Sequence, residues 1–156
     1  MVLLGAVALA ARWAERDTAR AMSEENVEIV REFLEALWDR RDFEAALSCA
    51  DSDLELDWSQ SRAPYAGVVQ GHEQVIAWWE DVAEAFRDYR VVQRDFTDCD
   101  PNLVVVEQSI SGQGRGSGVE VRATGATIWK VRDGKVVSGK LFQSKSEALE
   151  AAGLSE

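Results

Sequence analysis

The sequence predicts an α+β domain, helices first and an antiparallel sheet after. Three observations carry this. Apart from one short alternating segment, Leu54-Glu55-Leu56-Asp57-Trp58, apolar residues up to Phe86 recur at helical spacing. From Tyr89 onward the period switches to two. The later segments are separated by turn chemistry, Asp98-Cys99-Asp100-Pro101-Asn102 and Asp133-Gly134, the second fitting a tight hairpin. Segregation of helices from a meandering sheet is the α+β pattern. At 156 residues the chain makes one domain, large enough for a continuous core without staples.

The first helix is read from Val27, Val30, Phe33, Leu34, Leu37 and Trp38, which share one face while Glu28, Arg31, Glu32 and Glu35 are left to solvent. Ser23 is a suitable N-cap, and Glu24 and Glu25 suit the positive end of the helix dipole. A shorter helix from about Asp42 carries Phe43, Ala46 and Leu47 inward. The strand ending at Trp58 leads to a loop with Pro64, Tyr65 and Gly67, and Gly71 opens a third helix striped by Val75, Trp79, Val82 and Phe86. Trp78 lies about 100° round that helix from Trp79, so the two rings cannot enter the same core. Four strands follow, over 89–96, 103–111, 119–131 and 136–142, and a last short helix over 146–152 stops at Gly153. The glycine-rich stretch 112–118 lacks a Gly-Lys-Ser/Thr ending and joins strand to strand, so it reads as a flexible hairpin or bulge instead of a phosphate cradle.

Residues 1–21 stand apart. Val2 to Ala11 is apolar but too short to span a bilayer, and no basic residue precedes it as in a secretory signal. The Met22-Ser23-Glu24-Glu25 sequence looks like a second beginning. Residues 1–21 are therefore expected to be an extension outside the fold, with export as the alternative reading, and residues 22–156 to form the domain.

Composition removes several function classes. With 28 acidic residues against 17 basic, the net charge of −11 repels phosphate backbones and anionic membrane surfaces, so neither nucleic acid nor membrane is an expected partner. Cys49 and Cys99 are far apart and lack metal-ligand neighbours, which argues for reduced thiols in place of a disulfide or a zinc site; no metal or cofactor is expected. A cytoplasmic location fits these thiols.

Two stretches place polar residues among aromatics where a small domain should be dry. Asp57 and Trp58 end the first strand, while Thr127 and Trp129 lie on the strand that turns at Asp133-Gly134-Lys135. A carboxylate near indole rings reads as a ligand pocket. On the long strand, Val119, Val121, Ala123, Gly125, Thr127, Trp129 and Val131 share one face, taken as concave, with room at Ala123 and Gly125. Gln143 aligns with Gly139 and Leu141 on the closing strand, where its amide would orient a polar group. Strict alternation, however, turns Asp57 away from Leu54, Leu56 and Trp58, and a bulge would be needed to bring it inward. The single histidine, His72, reads as a helix-end residue, and alternation leaves the direction of Glu107 open.

An opening helix, a helical hairpin through Arg41-Asp42-Phe43, a strand ending in Asp57, a Gly71-led helix and a sheet closing with Val131-Arg132-Asp133-Gly134-Lys135-Val136-Val137 together resemble the SnoaL-like branch of the nuclear transport factor 2-like superfamily. Ketosteroid isomerases, polyketide cyclases and limonene epoxide hydrolases belong to it. The resemblance covers residues 23–154, and one fold hosts unrelated functions here. It implies a cone, with the curved antiparallel sheet wrapped around the helices and a central pocket, and, because relatives of this shape commonly dimerise on the poorly covered convex side of the sheet, a two-fold homodimer is expected there. It also implies that Asp57 stands where ketosteroid isomerases keep their proton-shuttling carboxylate, while Phe33 and Thr127 stand where those enzymes have a tyrosine and a protonated aspartate. Without those donors the oxyanion is unsupported, so turnover of a 3-oxo-Δ5-steroid is not expected. The expected function is binding of a small, largely apolar molecule in a pocket lined by Trp58, Tyr65, Trp79, Thr127, Trp129 and Gln143. The alternative is a cofactor-independent isomerase, cyclase or hydrolase using Asp57 as general acid or base.

Overall fold

The computed structural model describes residues 2–61, 66–100 and 102–153. Helix α1 (Val2–Leu34) runs directly into a π-helical turn over Glu35–Asp39. It passes through Ser23 without a break, so the expected N-cap is helix interior, and the Arg20–Glu24 ion pair at 3.3 Å straddles the site. Residues 10–16 are exposed, Trp13 among them, whereas Val30, Phe33 and Leu34 are fully buried. Among the helix's described side chains, the fully buried ones thus lie in its C-terminal third. The π turn is closed by Arg40 N–H donating to the Glu35 carbonyl, and Arg41 at φ 51° completes the reversal. Asp42 then caps α2 (Phe43–Ser48) by accepting from Ala45 N at 3.0 Å.

Strands β1 (Ala50–Asp57) and β2 (Val68–Gln70) precede α3 (His72–Ala85), and β3 (Phe86–Asp100), β4 (Leu103–Gly114), β5 (Glu120–Arg132) and β6 (Lys135–Phe142) follow, with α4 (Lys145–Ala151) last. The sequence pattern misses β2, whose three residues are too few to show a period. Phe86, expected as the end of the α3 stripe, is extended at φ −125° and begins β3. Gly71 takes φ 84°, a conformation open to glycine at the entrance to α3.

The six strands order as β2-β1-β6-β5-β4-β3. Four of the five pairings are antiparallel, but β1 runs parallel to β6, so the expected antiparallel sheet is mixed. The reason is topological: β1 and β6 are joined through most of the domain, and a parallel pair requires such a crossover. Register shifts at Ala50/Glu55, at three points along β3 and at Lys130/Val131 bend the sheet, which remains unclosed.

One sheet face holds the helices. Trp129, Val131, Val104 and Val106 pack with Phe33, Leu34, Leu37, Val75 and Trp79 in the main core. The opposite, outer face carries a second cluster in which α4 places Ala148 and Leu149 against Val105, Ala126 and Phe142. An ion pair from Lys145 to Asp95 ties α4 to β3. No helix among the described residues is long and apolar enough to cross a membrane.

Two predictions follow from this packing. Removing residues 1–21 is expected to shift the melting temperature by less than about 5 °C, because the described part of that segment is exposed; a larger loss in a thermal melt would show that it packs. Gly139 lies under the Trp129 indole, and a Cβ there would sit 2.7 Å from Cε3. Gly139→Ala should therefore destabilise the fold by about 1–3 kcal/mol in urea titration, through displacement of the ring.

Candidate functional site

The concave face is built by alternation along three paired strands. On β5, Trp129, Thr127 and Gly125 point to the helices; opposite them on β4 stand Val104, Val106 and Gln108. Gln93 of β3 faces Gln108, and Phe96 faces Val106. The contact of Arg31 with the Phe96 ring, 4.3 Å from its centroid, fixes this as the face against α1.

Aromatic rings fill its centre. Phe33 from α1 meets Trp129 at 5.1 Å between centroids and Trp79 of α3 at 6.2 Å, and Phe43 of α2 closes on Trp79 at 5.4 Å. Trp58, just after β1, reaches Trp129 at 6.2 Å and Trp78 at 5.4 Å. It is half-buried and forms the solvent side of the cluster. Trp78 nevertheless packs, partly buried, against the same core that buries Trp79, so their angular separation on the helix sets how deep each ring sits and not which core it joins.

Among the described residues, four polar atoms in or beside this cluster are buried without a hydrogen-bond partner: Trp79 Nε1, Trp129 Nε1, Thr127 Oγ1 and Gln93 Nε2. Thr127 is fully buried and Gln108 nearly so. Such orphans are uncommon, since each costs about 1–3 kcal/mol of unrecovered solvation. Gln93 and Gln108 escape sequence reasoning because an isolated glutamine between valines is read as solvent-facing. The available signal was that Gln108 shares parity with Val104 and Val106.

Of the expected site residues, Trp58, Trp79, Thr127 and Trp129 come together on the concave side. Tyr65 lies outside the described residues. Gln143 Nε2 donates to the Gln60 carbonyl, which fastens the end of β6 to the turn after Trp58. Asp57 is turned to the outer face: its register partner on β6 is Lys140, with Oδ2 3.9 Å from Nζ. Ser59 donates to Asp57 Oδ1 from its backbone N–H at 3.0 Å and from its hydroxyl at 2.5 Å. These bonds, with a smaller contribution from Lys140, hold the Asp57 carboxyl below its ordinary value against a weak opposing effect of burial. A stabilised carboxylate is a poor proton acceptor, and the strand alternation keeps it off the aromatic side. His72 bonds the Asp51 carbonyl at 2.9 Å and braces the start of α3, and Glu107 shares the outer parity of Val105.

Two surface cavities, of about 960 and 450 Å³, open elsewhere, and none of the expected pocket residues that are described lines either one. The smaller is bounded by Trp38, Asp39, Arg41 and Tyr89 beside the π turn, where burial pushes the Tyr89 hydroxyl up to about 12.

The SnoaL-like domain family model matches residues 30–139. No curated protein shows a significant match. Among solved structures, the chain is similar to an NTF2-like protein from Burkholderia thailandensis (22% identity, 75% of this chain and 88% of that one, TM-score 0.69). It is similar also to a putative SnoaL-like polyketide cyclase from Jannaschia (23%, 83% and 91%, TM-score 0.65). A third similar structure is RV0760c from Mycobacterium tuberculosis, determined in complex with estradiol-17beta-hemisuccinate (15%, 78% and 95%, TM-score 0.64). At these identities the likeness is one of fold.

The Asp57 environment gives a pH prediction with a definite sign. Its folded value is lowered, so its stabilisation is present above the unfolded value of about 3.9 and is lost as pH falls through the folded one. The stability difference between wild type and Asp57→Asn should therefore shrink between about pH 5 and pH 2. A difference independent of pH in urea titrations would show that the carboxylate charge contributes nothing.

Proposed function

This chain belongs to the SnoaL-like domain family, and from that premise we propose that it binds a small, largely apolar molecule bearing at least one hydrogen-bonding group, on the concave face of its sheet. The observation that carries the reading is the set of orphaned polar atoms there: Trp79 Nε1, Thr127 Oγ1, Trp129 Nε1 and Gln93 Nε2. Two indole N–H groups offer donors to a ligand carbonyl or hydroxyl oxygen, and the threonine hydroxyl offers either role. The surrounding rings of Phe33, Trp58, Trp79 and Trp129 suit an apolar body. RV0760c, similar in fold, takes an estradiol derivative, a molecule of this chemical kind.

The aromatic rings already occupy the centre, so a ligand enters by displacing a ring. Trp58 is the ring to move, being half-buried and at the solvent side. Binding is favoured over acid-base catalysis because the only carboxylate aligned with a catalytic one, Asp57, is bonded to Ser59 on the outer face. Isomerase, cyclase or hydrolase chemistry through Asp57 would require that strand end to rotate.

Thr127→Val separates a ligand-facing hydroxyl from a structural one. Removing an orphaned hydroxyl while keeping the shape should leave the melting temperature unchanged or slightly higher. Mass spectrometry of small molecules released from natively purified protein should find an apolar compound in the wild type, with reduced occupancy in Thr127→Val and Trp129→Phe. Destabilisation of Thr127→Val by more than about 1 kcal/mol, with no compound released from the wild type, would sink the reading.

A further inference from the structure

The orphaned polar atoms of the concave face fall into two groups, and strand register separates them. Trp129 and Thr127 stand on β5 opposite Val104 and Val106 of β4. Two residues further along β4, Gln108 is flanked by Gln93 on β3 and by Gly125 on β5. Directly opposed residues share a face, so this row presents two amides to the helices, beside a position without a side chain. With strands about 4.8 Å apart and a rise of about 3.3 Å per residue, the Cα atom of Thr127 stands about 8 Å along the sheet from that of Gln108 and about 12 Å from that of Gln93. Val106, fully buried, floors the space between them.

The amide row is as dry as the indole group. Gln108 is 3% exposed, and Gln93 Nε2 is buried. Two glutamines side by side on paired strands can satisfy one another, yet Gln93 Nε2 has no hydrogen-bond partner among the described residues. Its N–H groups are donors without an acceptor, at the other end of the face from the indole donors. A valine or leucine would suit the alternation of β3 without the cost of an unpaired amide. An anion would find little to pair with here. Arg31, above the Phe96 ring, is already paired with Glu28 at 3.5 Å, and Asp98, in register with Val104, adds a negative charge to the same face.

Given the concave-face ligand proposed above, we propose that it is an elongated, uncharged molecule with an oxygen function at each end. One oxygen accepts from the indole N–H groups of Trp79 and Trp129, beside the Thr127 hydroxyl. The other, about 8–12 Å away, accepts from Gln93 Nε2, with Gln108 as the second amide of that end. The apolar body lies across Val106. Gln93 and Gln108 are thus specificity-determining residues. A ligand without the second oxygen leaves the amide orphaned, and an anionic end is buried without a partner, so both are selected against.

The test titrates rigid biphenyls into the full chain by calorimetry and follows side-chain and backbone amide resonances by NMR. The probe p,p′-biphenol, with a hydroxyl at each end, should bind about fivefold or more tighter than p-phenylphenol, which has one, and than o,o′-biphenol, whose two hydroxyls lie together. The Gln93 and Gln108 side-chain amides should shift with p,p′-biphenol alone. Gln93→Leu keeps the bulk of the side chain and should abolish the preference for the second hydroxyl. The three-probe comparison in the wild type decides by itself where that variant does not fold. Replacing one hydroxyl of p,p′-biphenol by a carboxylate should weaken binding. Equal affinities for one and two hydroxyls, with the Thr127 and Trp129 resonances shifted and the glutamine amides unmoved, overturn the two-ended ligand and leave concave-face binding standing. A preference for the second hydroxyl that persists in Gln93→Leu, or a carboxylate probe that binds as tightly as p,p′-biphenol, also overturns it. No shift at Thr127 or Trp129 with any probe at its solubility limit overturns concave-face binding, and the two-ended ligand with it.

Discussion

The contact of Trp129 with Phe33 on one side and Gly139 on the other is the constraint from which the rest of the domain follows. Phe33 brings α1 to the sheet, Trp79 brings α3 to Phe33, and Phe43 brings α2 to Trp79. Three helices are thereby referenced to one indole. The ring can lie flat against β6 only because residue 139 has no side chain. Its Nε1 then points into a place where no described residue accepts its hydrogen bond. The same packing that orders the helices thus creates the polar vacancy from which a function is inferred, and core and site are one structure.

How much of this was legible in the sequence depends on the range of the signal. Alternation along β5 correctly sorts Thr127 and Trp129 to the helix side and Lys130 and Arg132 to solvent, because period two is a property of consecutive residues. The stripes of α1 and α3 are legible for the same reason. The parallel pairing of β1 with β6 was not, since its register rests on contacts such as Val136 N–H to the Cys49 carbonyl, between residues far apart in sequence. The run of α1 through Ser23 shows that a good capping residue is permissive: it ends a helix only where the preceding chain leaves, and here it does not. For Asp57, alternation and family alignment pointed in opposite directions. Alternation describes its placement better, because the register shift of β1 falls between Ala50 and Glu55 and leaves its last residues regularly paired with β6.

Charge is divided as clearly as polarity. Glu28, Glu32 and Glu35 lie along the helical layer, and Arg31 and Arg40 offset them in part through exposed pairs of modest strength. The arginines of the outer sheet face are mostly not spent in such pairs. Part of their role is protective: β3 is an edge strand, and Arg87, Arg90 and Arg94, with three register irregularities, discourage edge-to-edge pairing. Edge protection does not account for Arg122, which lies on β5, two strands inside.

Occupancy of the concave face bears directly on stability. Each orphaned polar group on the concave face lowers the stability of the empty protein by about 1–3 kcal/mol, a large share of what a domain of this size has in reserve. A ligand that satisfies them returns that energy on binding, and it stabilises the fold in proportion to the logarithm of its concentration over its dissociation constant. Occupancy inside the domain is therefore coupled to folding, and the coupling follows from where the strand period sends Thr127, inward to an apolar layer.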